Sequence, residues 1–75
     1  MKIIGTISYI KIEIDGRTIK IPGEMIVGGF VAHKEGMKKW ESPHNNEELS
    51  EEMKHEIINK VIEKTKNTHM VISFE

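Results

Sequence analysis

Four histidines, four serines and a dense run of carboxylates are the side chains of this chain that could do chemistry. His33, His44, His55 and His69 never fall at the i,i+2 or i,i+4 spacing that presents two imidazoles to one metal. No HExxH pattern occurs, so they read as scattered surface residues and no metal site or cofactor is expected. Ser8, Ser42, Ser50 and Ser73 lie in no strand-turn-helix elbow that would expose a nucleophile. Cysteine is absent, which removes thiolate chemistry, thiolate metal sites and disulfides together. Carboxylates are plentiful, but Glu47 to Glu56 falls at or near an exposed helix start, where burial cannot tune a pKa for acid–base work. The reading is a protein that is not an enzyme.

The charges are informative in their distribution. Glu41 to Glu56 holds Glu41, Glu47, Glu48, Glu51, Glu52 and Glu56 against Lys54 alone, a local balance of −5; the remaining six acids and ten bases leave +4 elsewhere. Two readings stand. The acids complement a helix N-terminus and line a solvated face, or they form a negative patch for a cationic partner. The net charge of −1 excludes a broadly basic nucleic-acid binder. Lys34, Lys38, Lys39 and Trp40 join basic charge to one ring, yet single-strand binders present several stacking rings on a basic groove. The chain has only Tyr9, Phe30, Trp40 and Phe74. A protein partner fits better: tryptophan is enriched at binding hot spots, and neighbouring acids steer a basic partner. Trp40 equally suits a plug in the seam between sheet and helix. The sequence leaves both open.

These residues depend on the elements that carry them. Seventy-five residues make one domain, residues 1–75, with a thin core. Nothing at Met1 to Thr6 resembles a signal h-region and no stretch is long enough to span a membrane, so a soluble cytoplasmic protein with no membrane contact is expected. Ile10 to Ile21 is a hairpin: Asp15-Gly16 between alternating apolar runs is a strong two-residue turn signal. It pairs Ile14 with Arg17, Ile12 with Ile19 and Ile10 with Ile21. One face is then isoleucine; the other carries Lys11, Glu13, Thr18 and Lys20, with Glu13 offsetting the Lys11/Lys20 clash. Lys2 to Ser8 reads as a further strand broken at Gly5 or Ser8. Ile21-Pro22-Gly23-Glu24 reads as a turn, and Met25 to His33 as a strand with a bulge or close backbone approach at Gly28-Gly29. Ser50 caps a helix whose stripe is Met53, Ile57, Ile58, Val61, Ile62 and Thr65, with Asn67 at its C-terminal end. His69 to Phe74 closes as a strand. The expected fold is α+β: a small antiparallel sheet of about four to six strands, one C-terminal helix on one face, and a final strand rejoining the sheet.

Ile10-Lys11-Ile12-Glu13, Asp15-Gly16-Arg17-Thr18-Ile19-Lys20-Ile21, Gly23-Glu24-Met25, Gly29-Phe30-Val31-Ala32, Lys39-Trp40-Glu41-Ser42-Pro43 and Phe74-Glu75 together resemble the immunity protein 74 family of bacterial polymorphic toxin systems. Their order and spacing carry the resemblance. It implies a small α+β antidote that binds and neutralises a cognate toxin, and it implies no catalytic residues. Glu24, Trp40, Glu41 and Pro43 are the matched positions that become partner-binding candidates; Glu47 and Glu48 join them from the acidic run. Ser42-Pro43 stands where the family pattern favours two prolines. The toxin it implies is often cationic, such as a nuclease. The reading from a different class is a homodimeric structural or regulatory domain that pairs through a sheet edge or the helix.

Overall fold

The computed structural model describes residues 1–75. Its elements are β1 (Lys2–Gly5), β2 (Tyr9–Ile14), β3 (Arg17–Ile26), β4 (Gly29–Ala32), a short 3-10 turn (Lys34–Gly36), α1 (Glu51–Thr65) and β5 (Val71–Phe74). The strands form one curled sheet in the order β1-β2-β3-β4-β5. The first four make an antiparallel meander, and β5 joins β4 in parallel. The sheet is therefore mixed rather than wholly antiparallel. A parallel neighbour needs a long crossover, and the loop and helix between β4 and β5 supply it.

The β2–β3 hairpin has the register that its isoleucines require, with Ile14↔Arg17, Ile12↔Ile19 and Ile10↔Ile21. Asp15 and Gly16 have φ of 50° and 77°, the two positive values of a type I′ turn. Ile10, Ile12, Ile19 and Ile21 are fully buried, and with Phe30, Ile57 and Val61 they form the centre of the core. On the opposite face Glu13 takes no cation. Lys11 reaches Glu41 instead, at 3.8 Å, and Lys20 Nζ settles 4.3 Å from the centroid of the Tyr9 ring.

Of two glycine signals, one has a cause other than that expected and the other meets its expectation only in part. Pro22 and Gly23 make no turn; β3 runs through them to Ile26. Alternate strand amides point to opposite sides, and the Gly23 amide donates to Ser8 O on the β2 side. The Pro22 nitrogen therefore points away from β2, so its missing N–H removes no bond from that ladder. Gly23 is small because a Cβ there would collide with Val31 O and the Phe30 ring. Gly28 and Gly29 make no bulge. Val27-Gly28 is the two-residue connection of the β3–β4 hairpin, with Gly28 at φ 80° and Ile26 paired to Gly29. Gly29 is the close approach, since a Cβ would strike the Val71 carbonyl of β5.

Ser50 Oγ accepts the Met53 amide at 3.1 Å, and Glu51 and Glu52 occupy the first turn of α1. Ser50→Ala should lower stability by about 1 kcal/mol, measured by urea denaturation; an unchanged midpoint would remove the cap from the account. The buried stripe is narrower than expected. Ile57, Val61 and Thr65 are buried, while Ile62 is 40% exposed. The helix is capped at Lys66, one residue before Asn67. Thr65 Oγ1 donates to Val61 O at 2.9 Å and accepts the Ile72 amide at 3.2 Å. This ties the helix end to β5 and closes part of an otherwise open sheet edge. No helix is long and apolar enough to cross a membrane.

Candidate functional site

The candidate residues other than Glu24 lie in one loop. Between β4 and α1 the chain is clamped by three buried side chains: Met37, Trp40 and Leu49 are 1%, 6% and 7% exposed. Leu49 N–H donates to Lys38 O at 3.3 Å, and Lys39 bridges Glu48 through the backbone, so the loop closes at its base. Closed ends and internal packing are the features of an Ω-loop. Glu41 N–H donates to Thr18 O at 2.8 Å and seats the loop along β3.

Trp40 belongs to the core cluster with the hairpin isoleucines and Leu49. The ring fills the seam between sheet and helix, and a groove of about 190 Å³ beside it is lined by Ile14, Asp15, Arg17, Glu47 and Met53. A large aromatic there secures the loop at little entropy cost, because only two torsions are fixed.

Glu47 is held rather than free. Arg17 donates through Nε and Nη2 to Glu47 Oε1 at 3.3 and 3.1 Å. His44 Nδ1 lies 2.8 Å from Glu47 Oε2, and it must be the donor because a carboxylate only accepts. The hydrogen bond from His44, followed by that from Arg17 and the charges of both, holds the Glu47 carboxyl below its ordinary value of 4.5, against the opposing effect of burial. A carboxyl whose pKa falls on folding stabilises the fold above its unfolded value and loses that contribution as pH falls through the folded one. Glu47→Gln should therefore flatten the decline of stability with acidification that begins near pH 4.5, leaving the curve above it parallel to the parent. Denaturation midpoints across an acid titration report this; equal slopes for both proteins would exclude the tether. His44 and Glu47 at i,i+3 were a visible signal for half of this cluster. Arg17, thirty positions from Glu47, had none.

The remaining positions differ in reach. Glu41 is half-buried against Lys11, while Pro43 and Glu48 are exposed on the loop. Glu48 has no cation within 4 Å. Glu24 stands apart, exposed on β3 opposite Val31. It lies six residues from Thr18, about 20 Å of strand at ~3.3 Å per residue. Between them stretches the face of the sheet that α1 does not cover, with Lys11, Lys20 and Tyr9 upon it. A shallow groove of about 210 Å³ on this face is bounded by Lys2, Ile4, Lys11, Glu13 and Glu41. On the helix side a second groove of about 470 Å³ runs between β1 and β5 over Ile3, Ile10, Met70 and Ile72. No three His, Asp or Glu side chains converge as a metal-binding group.

The family model described as Immunity protein 74 matches residues 2–75. No curated protein and no solved structure matches the chain.

Proposed function

The chain belongs to the immunity protein 74 family, and from that premise we propose that it binds a cognate bacterial polymorphic toxin one-to-one and neutralises it in the cytoplasm. The family match over residues 2–75 is the observation that carries this reading. Neutralisation here is occupancy of the toxin's surface, with no chemical step. Glu24, Glu41, Pro43 and Glu48 are among the residues that touch the toxin, while Trp40 and Glu47 hold the loop from beneath. A loop anchored by Met37, Trp40 and Leu49 and tethered by Arg17 and His44 loses little freedom on docking, which favours tight binding. Its acids speed encounter with a cationic toxin such as a nuclease, an effect that salt weakens.

The test mixes the purified chain with the toxin domain encoded by the neighbouring gene. A one-to-one complex and loss of toxin activity at equimolar protein are expected. Replacing Glu24, Glu41 and Glu48 by Gln should slow association, most at low salt. Full toxin activity in the presence of excess chain would overturn the proposal. A second reading, a homodimer, is favoured by one observation: β1 is an edge strand and its Ile4 is 48% exposed. A stable dimer in solution that excludes the toxin would decide for it.

A further inference from the structure

The molecule has two tight hairpins with opposite tips. At the β2–β3 turn the residues are Asp15 and Gly16, which suit a solvated turn. At the β3–β4 turn they are Val27 and Gly28, and Val27 is 104% exposed. Nothing in the turn geometry asks for valine there. Met25 and Ile26 precede it at 43% and 49% exposure, so three consecutive apolar residues stand in water. Alternation sends Met25 to the helix side and Ile26 to the open face, and neither finds cover.

Other chain segments enlarge the patch. Ile7 O accepts the Met25 amide at 3.3 Å, bringing Ile7, itself 76% exposed, beside it. Val71 pairs with Gly29, which pairs with Ile26, so Val71 and Ile26 flank a residue without a side chain on one face. Five of the eight large exposed apolar side chains, Ile7, Met25, Ile26, Val27 and Val71, thus collect at this end of the sheet. An apolar run of this kind contributes nothing to the core and invites association, so its presence marks a contact surface. The only charge between Pro22 and Ala32 is Glu24, at the base of the hairpin, and no cation lies within 4 Å of it.

We propose that the β3–β4 hairpin is a docking knob that inserts Val27, with Met25 and Ile26, into a concave apolar cleft of the partner toxin, while Glu24 pairs with a Lys or Arg on the cleft's rim. This rests on the neutralisation reading and names the part of the surface that would supply most of its binding energy. The knob is convex and needs a concave partner. Tip-to-tip pairing of two copies suits it poorly, because it would set convex on convex and bring two Glu24 carboxylates together. A membrane suits it poorly too, since the patch carries an acid and no lysine or arginine to meet anionic headgroups.

The experiment measures the affinity of the purified neighbouring toxin domain for the parent chain, Val27→Asp and Glu24→Lys. Val27 makes no core contact, so the aspartate variant folds, and a melting curve matching the parent verifies this. Glu24→Lys repeats the test without altering the apolar patch. Each change should weaken binding about tenfold or more, Val27→Asp chiefly through faster dissociation. If the parent binds and both variants bind within about twofold of it, the knob is wrong and neutralisation stands. If the parent does not bind, neutralisation itself falls and takes the knob's partner with it. Two controls assign the patch elsewhere. A parent dimer that Val27→Asp dissolves gives it to a second copy. Binding to phosphatidylcholine/phosphatidylglycerol vesicles that Val27→Asp abolishes gives it to a lipid surface. Either result overturns the proposal.

Discussion

Trp40→Ala should remove about 3–5 kcal/mol of folding stability. A domain of this length holds roughly 4–11 kcal/mol in all, so the loss is a large share of the total. The size follows from position. Trp40 is 6% exposed and packed with Ile14, Leu49 and the helix, where truncation opens a void that three rigid elements cannot close. Trp40→Phe keeps most of the apolar volume and should lose far less. Urea denaturation followed by circular dichroism reads both. In the parent, this single tryptophan also reports the seam by its fluorescence, which should shift to longer wavelength as the loop leaves the core. If Trp40→Ala stays within about 1 kcal/mol of the parent, the ring does not plug the seam. The result bears on function too. A loss of toxin binding in the alanine variant alone would report unfolding, whereas a loss in folded Trp40→Phe would report contact.

Gly23→Ala should destabilise the fold by about 3 kcal/mol or more. The new methyl would meet a backbone oxygen, Val31 O, as well as the Phe30 ring. A side chain can rotate away, but a carbonyl in a sheet ladder moves only if β3 and β4 separate. Gly28→Ala is the matched control. Space around Gly28 is open, and only its φ of 80° opposes a side chain, so the cost should be about 1–2 kcal/mol. Denaturation midpoints of the two variants should therefore fall in that order. The reverse order would mean that Gly23 serves a turn after all and that β3 does not continue to Ile26.

How far each feature could be read in advance depended on how far apart its causes lie. The β2–β3 register was legible because both determinants are local: the period-two isoleucines and the Asp15-Gly16 turn lie within twelve residues. The Ser50 cap was legible for the same reason, since donor and acceptor are three residues apart. Pro22-Gly23 misled because the same two residues satisfy a turn or a crowded strand. Only the Phe30 ring and Val31 carbonyl, brought across from β4, distinguish them. In sequence the acidic run suits either a solvated helix start or a partner-facing patch, and folding sorts its members. Arg17 and His44 take Glu47, Lys11 takes Glu41, and Glu48 is left without a cation.

By itself the sequence determined the Ile-paired β2–β3 hairpin, the Ser50-capped helix and the closing strand, with no metal or nucleophile pattern among them. These follow from periodicity and capping, which act over a few residues. Tertiary structure alone decided the rest. It put Trp40 in the seam, tethered Glu47 to a hairpin thirty residues away, left one sheet face open and exposed Met25, Ile26 and Val27 together. Those outcomes depend on which distant surfaces meet, and on how much of the sheet one fifteen-residue helix can cover.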